Sequence, residues 1–315
     1  MRALVFFAPL LLAAVAGISR SGPWAPEEQT GVIRVSSNLV SVPVSVLDRA
    51  GQPVRGLTAG DFRIEEGGHD QRVVWLGDPG KTPVDLALLY DVSGSVRERF
   101  PFEQRAAAGF LKLVLKPGDS VSVFSMAASP RLVREPTTSL QQAEAAILSL
   151  EPTGEQTAFF DGVVEAAHHL ALHENPGARR VVLAISDGED NNSERHNLED
   201  ARRELLRSDC LFYSINPSGP AIRLNVVSLR GQQAMEALAA DTGGAFLPGR
   251  PGDLDSVLRQ IAAELQAQYL LGFYFSEARA DGGFRRVSVT VPERPELRVR
   301  ARLGYYAPKP MMERR

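Results

Sequence analysis

Two aspartates stand directly behind short apolar runs, and hydroxyls cluster beside them. Leu86 to Tyr90 (LALLY) leads into Asp91-Val92-Ser93-Gly94-Ser95, and Val181 to Ile185 (VVLAI) leads into Ser186-Asp187-Gly188. Ser93 and Ser95 alternate with Val92 and Gly94, so their hydroxyls can face the same spot as Asp91. Carboxylates and hydroxyls, with no thiolate or imidazole among them, suit a hard divalent cation. Magnesium, which accepts six oxygens at about 2.1 Å and keeps several waters, is the first expectation, with Mn2+ or Ca2+ as alternatives. An Asp-x-Ser-x-Ser string also reads as the N-cap of a following helix. The second strand ending near Asp187 favours the cation. Asp190 to Ser193 (DNNS) offers further oxygens, either as calcium-type ligands or as a polar rim, and Asp190 is expected at the rim.

Other chemistries have less to stand on. Glu165, His169 and His173 are spaced four apart, as zinc ligands on a helix can be. The core face of that helix is expected to be Phe160, Val163, Val164, Ala167, Leu170 and Ala171, which leaves the three toward solvent. The chain has no Gly-x-Ser-x-Gly nucleophile elbow. It also lacks a phosphate-cradling glycine loop that ends in lysine and a hydroxyl residue.

The elements that must position Asp91 and Asp187 follow from periodicity. From Val84 to Leu265, apolar runs (Leu86–Tyr90, Val121–Phe124, Val181–Ile185, Leu211–Ile215) alternate with helical stretches. The helices are expected over 102–115, 139–150, 162–173, 198–208, 232–241 and 253–266. Strands alternating with helices of roughly 10–15 residues imply a parallel sheet covered on both faces. Continuous apolar runs are what doubly covered strands show. Ligands of such sheets bind outside the carboxyl ends of the strands, where strand order reverses. The flanks have a different texture. Val40, Val42, Val44 and Val46 alternate with Ser41, Pro43 and Ser45, as in a half-buried strand, and Pro43 suggests a sheet edge. After 268, an aromatic and aliphatic run to Phe275 precedes alternating valines 287, 289 and 291 and a last strand from Leu297 to Leu303. The expectation is a doubly wound, mostly parallel α/β domain over residues 82–267, Rossmann-like in its winding. A smaller β-sandwich-like domain is expected from residues 30–80 and 268–308.

Composition bounds the rest. The 315 residues are 44% hydrophobic and 23% charged, with a net charge of −3, which excludes disorder and a multi-span membrane protein. The near balance of acid and base removes the electrostatic case for nucleic acid. Met1-Arg2, the apolar run Ala3 to Ala16 and the Ala14-Val15-Ala16 site read as a signal peptide over residues 1–16. The run is short for a membrane span, and no second one follows, so the mature chain is expected to have no transmembrane segment and to be periplasmic or secreted. The single cysteine, Cys210, allows no internal disulfide and is expected to be a small buried hydrophobe.

Asp91, Ser93 and Ser95 in the order D-x-S-x-S, Thr157 within Gly154 to Gly162 (GEQTAFFDG), and Ser186-Asp187-Gly188 resemble the three parts of a metal-ion-dependent adhesion site. That site belongs to the von Willebrand factor A domain family. Ala239 to Phe246 (AADTGGAF) is similar to the turn before that family's last strand. The strings 40–62 and 269–308 resemble an exported bacterial subfamily in which such a domain stands between β segments. The resemblance implies metal coordination by the Ser93 and Ser95 hydroxyls. It places Asp91 and Asp187 close by, one or both acting through water, and adds Thr157 directly or through water. A cation held mostly by neutral hydroxyls then seeks an anionic ligand, an Asp or Glu of a partner protein. One departure is that Glu155 and Gln156 separate Gly154 from Thr157, where the family often has a second glycine. An inward Glu155 would block the open position; a solvated loop is expected to keep it outward.

Two function classes remain. The favoured one is an exported, non-catalytic, magnesium-dependent binding protein. The alternative is a metal-dependent hydrolase of phosphate esters, which needs a general acid or base within reach of the metal.

Overall fold

Every one of the eight residues from Val84 to Asp91 is buried, because helices cover both faces of the sheet they cross. The computed structural model describes residues 39–78, 81–97, 99–173, 175, 177–219, 226–249, 253–275 and 281–308. The signal-peptide expectation for residues 1–16, and the start of the 30–80 segment, lie outside the described residues.

The first strands are β1 (Leu39–Leu47), β2 (Arg63–Glu66), β3 (His69–Gln71) and β4 (Trp75–Gly77). There follow β5 (Val84–Asp91), α1 (Phe100–Val114), β6 (Ser120–Met126), β7 (Pro130–Thr137), α2 (Leu140–Leu148), α3 (Phe159–Leu172) and β8 (Arg179–Ile185). Next come α4 (Leu198–Arg207), β9 (Cys210–Asn216), α5 (Val226–Thr242), β10 (Ala245–Pro248) and α6 (Leu254–Leu265). The chain continues with β11 (Tyr269–Tyr274), β12 (Phe284–Thr290), β13 (Arg298–Ala301) and β14 (Gly304–Tyr306).

The central sheet runs β10-β9-β8-β5-β6-β7, parallel throughout except for the antiparallel β6–β7 pair. Leu86, Leu88 and Tyr90 of β5 pack with α1, α2 and α6 on one face. Ala87 and Leu89 pack with α3, α4 and α5 on the other. This is the doubly wound, mostly parallel arrangement. The periodicity did not predict β7. Its Pro-Arg-Leu-Val-Arg-Glu-Pro-Thr string lies on the sheet edge, half exposed, and pairs with β6 through register shifts.

Two antiparallel four-stranded sheets, β13-β1-β11-β4 and β14-β12-β2-β3, enclose a second core. It contains Val40, Val42, Val44 and Val46 with Ile64, Leu271, Phe273, Val287 and Val289. Strand β1 therefore lies inside its sheet, not at the edge that Pro43 suggested. The stagger explains it. β11 pairs with Leu39 to Val44 and β13 with Val44 to Leu47, so the missing Pro43 N–H falls where β13 has not begun. Nor is β1 half-buried, because Ser45 on its other face is enclosed against α6. Its Oγ donates to Glu264 Oε1 at 2.8 Å.

That contact is part of a polar seam between the two cores. Glu264 also accepts from the Tyr213 hydroxyl (2.6 Å) and pairs with Arg300. Gln268 Nε2 donates to Ser45 Oγ at 3.1 Å. Arg179 donates to the Leu265 carbonyl (2.7 Å), to Gln268 Oε1 (3.3 Å) and to the Thr82 carbonyl (3.2 Å).

Candidate metal-binding site

Strand order reverses at β5. The chain leaves β5 for β6 and β7 on one side, then crosses to β8, β9 and β10 on the other. The carboxyl ends of β5 and β8 thus flank a switch-point crevice, where loops diverge and leave room for a ligand. Asp91 is the last residue of β5, and Asp187 follows β8 by two positions.

Asp91 is 1% exposed, and both its oxygens are held. Oδ1 accepts the Ser93 N–H at 2.9 Å and Oδ2 accepts the Ser186 hydroxyl at 2.6 Å. Ser93 Oγ lies 3.2 Å from Ser95 Oγ, the former buried and the latter exposed. Neither serine caps a helix. Ser93 precedes a single 3-10 turn with no side-chain capping bond, and α1 starts later, behind Arg99. The helix-cap reading of Asp-x-Ser-x-Ser is therefore set aside.

Asp187 is buried, and its Oδ1 accepts the Glu189 N–H at 3.1 Å. Burial raises its pKa, against hydrogen bonds from Glu189 and Ser95 that lower it. Burial, and then the Asp187 charge, push Asp91 up to about 6, although the Ser186 and Ser93 bonds oppose this. Two acids enclosed this closely resist joint ionisation, and an added cation would relieve the repulsion.

Thr157 is buried beside this turn. Its N–H donates to Asn191 Oδ1 at 2.8 Å, and its carbonyl accepts the Asn191 and Asn192 N–H groups, each at 3.1 Å. The Thr157 loop is tied to the Ser93–Ser95 turn by Gly94 N–H to the Glu155 carbonyl, 3.2 Å. The Glu155 side chain is exposed, and its carboxylate accepts the Ala128 N–H at 3.4 Å. Asp190 Oδ1 accepts the Phe159 N–H (2.8 Å) and the Ser193 hydroxyl (2.5 Å), which caps the start of α3.

Ser186 orients Asp91, Asn191 holds Thr157, and Glu103 of α1 lies beneath the site. Ser186 and Asn191 were named from sequence only within the Ser186-Asp187-Gly188 and Asp190–Ser193 strings, without these roles, and Glu103 was not singled out. Glu103 is 1% exposed and pairs with Arg99 at 3.2 Å. Burial, opposed by Arg99 and reinforced by Asp91 and Asp187, pushes it up to about 7. The i,i+4 spacing of Arg99 and Glu103 was the one available signal.

His169 departs from expectation. It turns to the sheet, half-buried, with Nε2 3.0 Å from Ser122 Oγ and its ring edge-on to Phe124. The buried face of α3 is Phe159, Val163, Ala166, Ala167 and Leu170, rotated slightly from the predicted one. Cys210 is buried, which raises its thiol pKa. Among the described residues, no group of three or more His, Cys, Asp or Glu side chains is placed to hold a metal.

Residues 86–189, from β5 past the end of β8, match the family model described as von Willebrand factor type A domain. That stretch encloses Asp91, Ser93, Ser95, Thr157 and Asp187. This segment is a von Willebrand factor A domain. None of the curated proteins matches the chain. Three of the similar solved structures can be described. A von Willebrand factor type A protein from Catenulispora acidiphila is 11% identical, with 86% of this chain and 74% of that one covered, TM-score 0.48. The vWF domain of the type V pili tip protein Mfa5 from Porphyromonas gingivalis is 14% identical, covering 57% and 94%, TM-score 0.47. Proximal thread matrix protein 1 from the mussel byssus, with a zinc-occupied MIDAS motif, is 17% identical, covering 64% and 49%, TM-score 0.47. All three are weak likenesses in both identity and superposition.

Proposed function

We propose that the chain is an exported, non-catalytic binding protein. Its A domain would hold a divalent cation, magnesium first, and through it engage an acidic residue of a partner protein. The reading rests on one observation, the convergence of buried Asp91 and Asp187 with the Ser93 and Ser95 hydroxyls at the switch point of the sheet. The donor set is all oxygen, as a hard cation requires. Ser93 and Ser95 would hold the metal directly, with Thr157 joining directly or through water. Asp91 and Asp187 would neutralise it, one or both through water. The bound cation would supply a Lewis-acidic position for a carboxylate. Ser186 keeps Asp91 oriented, and Asn191 fixes the Thr157 backbone. Residues 1–16 support export to the periplasm or beyond. No helix among the described residues is long and apolar enough to cross a membrane.

Calorimetric titration of Mg2+ and Mn2+ into the chelator-stripped mature protein tests the proposal. Saturable binding is expected for the wild type and should be lost in Asp91→Ala and in the Ser93→Ala/Ser95→Ala double variant. Equal binding by all three proteins would sink it.

A further inference from the structure

Beside the metal-binding cluster lies a cavity of about 470 Å3, within the ~300–1,000 Å3 range of ligand pockets. Its apolar wall is Phe160 at the start of α3, Leu198 at the start of α4, and Val227 and Ala234 of α5. Val227 is 45% exposed and Val226, before it, 56%, so the first turn of α5 presents apolar surface to solvent. Gly188, Asp190 and Asn191 also line it. These same residues build the cluster: Gly188 directly follows Asp187, Asn191 holds Thr157, and Asp190 caps α3. Consecutive Cα atoms are about 3.8 Å apart, so the cavity opens within one to three peptide residues of Asp187. Arg230 is a further lining residue and adds a positive charge, which complements an acidic ligand.

We infer that this cavity is the specificity pocket for the partner of the A domain, and that it takes a large aliphatic or aromatic side chain within about three residues of the metal-bound acid. The ligand is thus an acidic peptide segment with an apolar anchor. This rests on the metal-dependent reading above. A carboxylate on a cation supplies orientation, and the buried side chain supplies discrimination between acidic sequences.

The test pans a random-peptide phage library on the full mature protein in magnesium buffer and elutes with chelator. Eluted peptides are expected to share an Asp or Glu with a Phe, Trp, Leu, Ile or Met within three positions. A synthetic consensus peptide should lose affinity roughly tenfold or more when that anchor becomes Ala. Two protein variants should do the same while leaving Mg2+ affinity unchanged. Ala234→Phe fills the cavity, and Val227→Gln removes its exposed wall without adding charge. Chelator-eluted peptides that carry an acid but no apolar neighbour, or that bind both variants as tightly as wild type, overturn the pocket and leave metal-dependent binding standing. No chelator-sensitive peptide overturns the metal-dependent reading and the pocket with it.

Discussion

Asp91 is fixed through both oxygens, and only one of its anchors comes from its own loop. Ser186, 95 positions away, supplies the other. Its loss should let the carboxylate swing, and outer partners of metal ligands typically contribute 10–100-fold in affinity. Ser186→Ala is therefore expected to weaken Mg2+ binding by about that factor in a calorimetric titration, with the protein still folded. Glu103 makes a different prediction. Its folded pKa, about 7, lies above the ordinary carboxyl value of 4.5, so the charged form is disfavoured in the fold. The penalty is full above pH 7 and disappears as pH falls toward 4.5. In metal-free protein, Glu103→Gln should be the more stable by on the order of 2 kcal/mol at pH 8 in urea unfolding, with the difference gone by about pH 4. At this scale the pattern of apolar run, aspartate and hydroxyl was readable in the chain, which is why Asp91, Ser93, Ser95 and Asp187 could be singled out as candidates. Ser186 and Asn191 act through partners 95 and 34 positions away, which no local period encodes, and for Glu103 only the i,i+4 spacing from Arg99 was legible.

Among the elements, α5 packs tightly against the turn beside the site. A Cβ on Gly231 would stand 2.5 Å from the Gly188 carbonyl oxygen, so the helix lies with bare backbone against the turn that follows Asp187. Glycine inside a helix ordinarily costs about 1 kcal/mol relative to alanine. Here the sign should reverse. Gly231→Ala is expected to destabilise by about 1–3 kcal/mol through overpacking, whereas Gly109→Ala in α1, where a Cβ meets nothing within 4 Å, should stabilise by about 0.5–1 kcal/mol. Paired urea titrations decide both. The central strands and all six helices were legible because burial on both faces writes continuous apolar runs, and burial on one face writes a helical period. The boundaries were not. Helix α5 begins six residues before the predicted Gln232, through exposed Val226 and Val227, and β7 carries too few buried residues to leave a period.

Across the whole molecule, the two cores share a buried seam of charged and polar groups. Ser45, Glu264 and Gln268 are each under 5% exposed, and Tyr213 is fully enclosed with them. Removing one member strands the others without water, which costs about 3–5 kcal/mol for a broken buried pair. Glu264→Ala should lower the melting temperature, and scanning calorimetry should resolve two transitions where the wild type shows one. Alternation alone places Ser45 on a wet face; its burial depends on a helix more than 200 residues later, so this seam could not be read from the chain.

Arg179 carries a last consequence. One guanidinium binds the carbonyls of Thr82 and of Leu265, the points where the chain passes into the α/β layers and out of them. Start and finish are thus pinned within a single side chain's reach, and a segment whose ends already meet pays almost no loop-closure entropy when inserted elsewhere. Such nearness of the two ends is what exchange of an internal segment between genes requires. Arg179 itself lies between those two points, so the clasp belongs to the segment it closes.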